Sequence, residues 1–158
     1  QPFSKGEWTY ATDVHIVVRV PRLHIPQFPE NKDAPDCERI FKEADENGPY
    51  EWVAVPEVEV PTVQCDACDG TGKIEGNPCE ECDGEGKLQE IKAVKVPLGD
   101  LIIALSNVYL DLIRRELPNP EIGLTEKAAT TGRVTHHDIK PVKIKFDGGE
   151  GLLMPMKL

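Results

Sequence analysis

The stretch CDACDGTGKIEGNPCEECDGEGK, residues 65–87, holds four of the five cysteines of the chain in two copies of C-x-x-C-x-G-x-G. A zinc ion takes four ligands in a tetrahedron with each sulfur about 2.3 Å away, and two C-x-x-C turns supply two thiolates each. The glycines that follow each pair, Gly70, Gly72, Gly84 and Gly86, let the backbone turn tightly beneath the sulfurs, with positive φ where needed. Two such pairs separated by ten residues are a far more specific signal than a lone C-x-x-C. Cys65, Cys68, Cys79 and Cys82 are therefore expected to hold one Zn2+ per chain, with disulfides or an iron–sulfur cluster as the minor alternatives. A closed four-cysteine site has no open coordination position, so its expected role is to clip the fold rather than to catalyse. The fifth cysteine, Cys37, falls on the apolar face of an expected helix and reads as packed rather than reactive.

Outward from this block, YEWVAVPEVEV (50–60) leads in and KLQEIKAVKV (87–96) leads out, two strand-like arms that suggest a hairpin with the cysteine knot at its tip. Upstream, WTYATDVHIVVRV (8–20) is β-branched and aromatic and reads as a strand or bent hairpin, and the proline-rich segment after it as a loop. DAPDCERIFKEADENG (33–48) places Cys37, Ile40, Phe41 and Ala44 at helical spacing, with Asp33 or Asp36 as N-cap and Gly48 at the stop. Downstream, GDLIIALSNVYLDLIRREL (99–117) aligns Leu101, Leu105, Val108 and Leu112 in one stripe, which predicts a helix from Asp100 to Leu117 ended by Pro118 and Pro120. The last segment alternates through IKPVKIKF, turns at DGGEG and closes with LLMPMKL, a hairpin running to the carboxyl end.

The chain has 158 residues, 39% hydrophobic and 29% charged, which suits one domain with a normal core. No apolar run approaches the roughly 20 residues needed to span a bilayer, so a soluble, cytoplasmic protein is expected, and no membrane partner. The opening QPFSKGEWTY lacks an initiating Met and an apolar leader, so upstream sequence is expected to be missing or removed. The net charge of −10 argues against a general nucleic-acid binder. Residues 27–90 carry 18 Asp and Glu against 5 Lys and Arg, while the remainder carries 10 against 13. An acidic middle thus interrupts a mildly basic frame, as an insertion would. Adjacent His136 and His137 point to opposite faces of an extended strand and read as surface residues. No phosphate loop, nucleophile elbow or helical metal-protease motif is present.

CDACDGTG and CEECDGEG resemble the repeats of the DnaJ-type cysteine-rich domain, which carries four such repeats and two zinc ions and assists binding of unfolded polypeptide. Two repeats imply one zinc, and no His-Pro-Asp tripeptide accompanies them. The frame resembles a different family. LLMPMKL is similar to the C-terminal MPMRL of bacterial replicative beta sliding clamps, where that segment lines a pocket for short peptide motifs from polymerases and the clamp loader. YATDVHIVVRV resembles the ATDGHRLA strand of a clamp domain, with Thr12, Asp13 and His15 matching and Val14 in place of glycine. By that resemblance Thr12, His15, Met154, Pro155, Met156 and Leu158 are candidate peptide-binding residues. In a clamp the two segments that meet at the pocket come from neighbouring domains, whereas a single domain must bring them together within itself or across an oligomer. Arg133, Lys140, Lys143 and Lys145 form the one basic cluster of note and are candidate phosphate contacts, with weak, salt-sensitive DNA binding expected.

The expected fold is thus α+β: an antiparallel sheet packed by two helices, clamp-domain-like, formed by residues 1–62 and 88–158, with residues 63–87 inserted as a one-zinc hairpin. The expected function is that of a non-enzymatic zinc-binding module acting through a protein or peptide partner in DNA replication or DNA metabolism, in the manner of a phage or prophage gene product. A homo-oligomer is compatible with it. Two further readings come from other classes: a chaperone-like module that holds unfolded polypeptide through the zinc hairpin, and a thiol oxidoreductase that uses the cysteine pairs.

Overall fold

The last strand of the chain lies in the middle of its sheet. A computed structural model describes residues 1–129 and 138–157. Strands β1 (Phe3–Lys5), β2 (Trp8–Thr12) and β3 (Ile16–Pro21) form an antiparallel meander, so the 8–20 segment is a hairpin whose turn carries Asp13, Val14 and His15. Helix α1 (Cys37–Asp45) follows, with the Asp36 carboxylate accepting from the Arg39 N–H at 3.3 Å, as the N-cap position predicts. It ends one turn before Gly48, with Glu46 as C-cap. After β4 (Glu51–Ala54) come the short cysteine-block strands β5 (Thr62–Gln64), β6 (Lys73–Ile74), β7 (Asn77–Pro78) and β8 (Lys87–Gln89). Strands β9 (Ala93–Leu98) and β10 (Leu101–Ser106), helix α2 (Asn107–Glu116), β11 (Glu121–Leu124), β12 (Val142–Phe146) and β13 (Gly149–Leu153) complete the chain.

Seven of these strands build one antiparallel sheet in the order β1-β2-β3-β13-β12-β11-β4. Alternation along β13 sends Leu152 to one face and Leu153 to the other. On the Leu152 face, α1 covers Phe3, Tyr10 and Val17 with Phe41, Ala44 and Cys37, so Cys37 is packed as its helical position implies. Arg19 on β3 lies between the rings of Trp8 (3.9 Å) and Phe41 (4.0 Å) and pairs with Glu150 at 2.5 Å. On the Leu153 face, α2 and the β9–β10 hairpin cover Ile122, Val142 and Ile144 with Ile103, Leu105, Leu110 and Ile113.

Three expectations are corrected. The segment 99–117 is not one helix: Leu101–Ser106 is a strand paired residue for residue with β9, and only Asn107–Glu116 is helical. From Ile103 to Ser106 every residue is buried, and a strand covered on both faces gives a continuous apolar run that periodicity cannot separate from a buried helix. The arms of the cysteine block also diverge: β4 joins the main sheet beside β11, and the hairpin proper is only β5 against β8. Finally, the carboxyl-terminal hairpin ends at Leu153, because Pro155 cannot donate to a ladder and the tail turns away from the sheet.

Leu105 is fully buried whereas Leu112, on the same stripe of a supposed helix, is 38% exposed. Leu105→Ala is expected to lower unfolding free energy by about 3 kcal/mol and Leu112→Ala by less than about 1 kcal/mol, read from urea titration. Equal losses would contradict the packing.

Candidate metal centre and binding groove

The two C-x-x-C-x-G-x-G repeats fold as near copies of one another. In the first, Gly70 and Thr71 donate from the backbone to the carbonyls of Cys65 and Cys68, both at 3.0 Å; in the second, Gly84 and Glu85 do the same to Cys79 and Cys82, again at 3.0 Å. Gly72 N–H donates to Cys68 Sγ at 3.2 Å and Gly86 N–H to Cys82 Sγ at 3.1 Å. The repeats are then joined reciprocally, Cys79 N–H to Gly72 C=O (2.8 Å) and Cys65 N–H to Gly86 C=O (3.0 Å). This close approach is why glycine is required: a Cβ on Gly72 would stand 2.3 Å from Gly84 O, and one on Gly86 2.4 Å from Gly70 O, with both residues at positive φ.

The four sulfurs converge, all within 4.8 Å of one another, and are buried. Cys65 to Cys79 is 3.9 Å and Cys68 to Cys82 is 3.8 Å. A regular tetrahedron of sulfurs about 2.3 Å from zinc has edges of roughly 3.8 Å, so the donor set and its size fit the ion. Such crowding forbids four free thiolates. Burial pushes the Cys65 thiol up to about 12. At Cys68 burial acts in the same direction but is outweighed by the Gly72 N–H and the neighbouring thiols, which draw it down to about 7. A divalent cation among the four sulfurs would offset that repulsion, since each thiolate then lies closer to the cation than to the other thiolates.

One buried side chain ties both arms of the hairpin to the body. Asn107, the first residue of α2, is buried and donates from Nδ2 to Glu59 C=O and Glu90 C=O, each at 3.0 Å, while its Oδ1 accepts from Lys92 N–H at 2.8 Å. Its own N–H donates to Lys92 C=O at 3.0 Å. Both arms of the hairpin are thereby pinned where strand β10 becomes helix α2.

The β2–β3 turn and the carboxyl-terminal tail meet within this one chain. Met154 N–H donates to His15 C=O at 2.9 Å, and Met156 N–H to Ala104 C=O at 2.7 Å. Val14 is not among the residues at positive φ, so the turn tolerates the missing glycine. Its geometry comes from Asp13, whose Oδ1 accepts from the N–H groups of His15 and Ile16 (2.8 and 3.1 Å) and whose Oδ2 accepts from the Tyr109 hydroxyl at 2.7 Å. Burial raises the Asp13 carboxyl, but these three donors hold it below the usual carboxylate range. The Tyr109 hydroxyl is pushed up to about 12 by burial and by that carboxylate.

Two cavities open on either side of this junction. One, of about 640 Å³, faces α2 and is lined by His15, Met154, Pro155 and Met156 together with Tyr109 and Ile91. The other, of about 430 Å³, faces α1 and takes in Thr12, Glu43, Glu46 and Lys140. Of these two, Thr12 lines only the second, which shares Val14, His15 and Met154 with the first; its hydroxyl donates to Ile16 C=O at 2.9 Å. Leu158, Arg133, His136 and His137 lie outside the described residues. Of the basic cluster, Lys140 lines the second cavity, and Lys143 and Lys145 alternate onto one face of β12. Lys143 pairs with Asp45 and lies over the Tyr50 ring, while Lys145 pairs with Glu121 at 3.1 Å and lies over Trp52. Sequence reasoning missed Asn107, Tyr109 and Ile91; an asparagine inside an expected helix, where its side chain disfavours the fold, was the one signal available.

No protein family, curated protein or solved structure matches this chain.

Titration with zinc should find one equivalent per chain, released as the pH is lowered from about 7 to 5 because each ligand must shed a proton to bind. Gly72→Ala should weaken the site by about tenfold or more, since backbone must move. Gly76→Ala, at equally positive φ but with open space around it, should weaken the site several-fold less, which separates the close approach at Gly72 from backbone strain. Competition with a chromophoric chelator reads all three.

Proposed function

We propose that this chain is a non-enzymatic binding module of clamp-like architecture that holds a short extended segment of a partner protein in DNA replication or DNA metabolism, with the zinc hairpin as an inserted clip. The observation that carries this reading is the junction of the β2–β3 turn with the tail. The two segments that resemble the halves of a clamp peptide pocket lie side by side in one domain, joined by the Met154–His15 hydrogen bond, and border an apolar cavity of about 640 Å³. Concave sites of that size with few polar groups suit apolar anchors of a ligand. Methionines are adaptable contacts for such anchors, and Val14, 89% exposed, adds apolar surface at the rim.

Charge points to the kind of segment. In a chain of net charge −10, the described residues lining this cavity include Lys157 and His15 but no carboxylate. A segment with two or three large apolar side chains and an acidic flank complements it. A thiol oxidoreductase fits less well, because buried sulfurs held as metal ligands are occupied. DNA contact through Lys143 and Lys145 would compete with the carboxylates they already meet.

The test uses fluorescence anisotropy of a fluorescein-labelled octapeptide with two leucines and a phenylalanine at alternate positions and two terminal aspartates. Wild type should bind it saturably. Met154→Ala combined with Met156→Ala should weaken binding by about tenfold or more, with zinc content and circular dichroism unchanged, and Cys37→Ala should leave it intact. Absence of saturable binding by the wild type, or equal affinity of the double variant, would overturn the reading.

A further inference from the structure

The zinc hairpin and the tail cavity share a wall. Ile91 lies on the outgoing arm of the hairpin, between Glu90 and Lys92, and is 64% exposed, which is unusual for an isoleucine beside a folded core. Its two neighbours are the residues that Asn107 grips: Glu90 C=O accepts from Asn107 Nδ2, and Lys92 N–H donates to Asn107 Oδ1. Glu90 is held on its other side by donating its N–H to Pro61 C=O at 2.7 Å. With residues 90 and 92 clamped, the Ile91 side chain is held out along the margin of the cavity that Tyr109, Met154 and Met156 also line. The backbone N–H and C=O of Ile91 have no partner among the described residues. An extended chain passing here would find one free donor and one free acceptor beside an apolar floor, the arrangement by which strands are added to an existing edge.

We propose that Ile91 is a contact residue for the bound segment and Asn107 its positioning residue, so that one extended apolar segment of the partner lies across both the tail cavity and the base of the zinc hairpin. This rests on the peptide-binding reading of the cavity. It gives the insertion a part in recognition that a remote clip would not have. Strands β5 and β8 are three residues each and largely exposed, and a two-stranded ribbon of that length is marginal in water. The arm therefore owes its position to the metal centre at one end and Asn107 at the other.

The test uses the full chain loaded with zinc and the labelled octapeptide described above. Ile91→Ser, a surface change that leaves folding intact, should weaken binding by about tenfold. Asn107→Ala should weaken it comparably, and, because that variant alters a buried residue, the decisive readout is a photo-crosslink. A benzophenone amino acid placed at position 91 should crosslink to the peptide, whereas one at position 74, an exposed isoleucine at the far tip of the hairpin, should not. If binding persists and still depends on Met154 and Met156 while Ile91→Ser is neutral and position 91 gives no crosslink, this inference fails and the tail-cavity reading stands. If wild type does not bind the peptide, both fail.

Discussion

The constraint on which the rest of the structure depends is the insertion of β13 between β3 and β12. Its residues must serve two cores at once, Leu152 toward α1 and Leu153 toward α2 and the β9–β10 hairpin, and it must fit tightly between its neighbours. Gly151 meets that second demand, since a Cβ there would stand 2.7 Å from Val17 O and 2.9 Å from Val18 Cγ1. Because β13 is central, whatever follows it is delivered to a defined place. The tail leaves the sheet beside the β2–β3 turn, and two backbone hydrogen bonds, to His15 and to Ala104, fix its course. The groove is in this sense a by-product of strand order.

The cysteine block obeys a separate logic. Its order comes from reciprocal backbone hydrogen bonds between two short repeats and from four convergent sulfurs, with Leu88 the one partly buried apolar side chain packed against them among the described residues. A unit with so little apolar burial would draw its folding free energy from a metal ion held by the four sulfurs. The seven acidic residues among positions 65–87 remain at the surface, so the hairpin is well solvated everywhere except at its base. At that base, Asn107 gives both side-chain N–H donors and its Oδ1 to the two arms, which is the physical link between the cysteine unit and the hydrophobic one.

What the sequence determined by itself was whatever depends on neighbours along the chain. The spacing of Cys65, Cys68, Cys79 and Cys82 defined the sulfur cluster, since the ligand geometry is set within two tight turns. Cys37, Phe41 and Ala44 at helical spacing behind Asp36 defined α1, and the Asp-Gly-Gly turn defined the β12–β13 hairpin. Tertiary structure alone decided the state of Leu101–Ser106, because an apolar run is compatible with either element until a partner strand is present, and β9 supplied it. It alone decided that, of the two cavities, Thr12 reaches only the one toward α1 while His15 and Met154 border both, since the pairing of β3 with β13 is what brings the turn and the tail together. It alone revealed Asn107, Tyr109 and Ile91 at the groove. Their roles rest on contacts such as Tyr109 with Asp13, 96 positions apart, and no local pattern encodes a hydrogen bond across that distance.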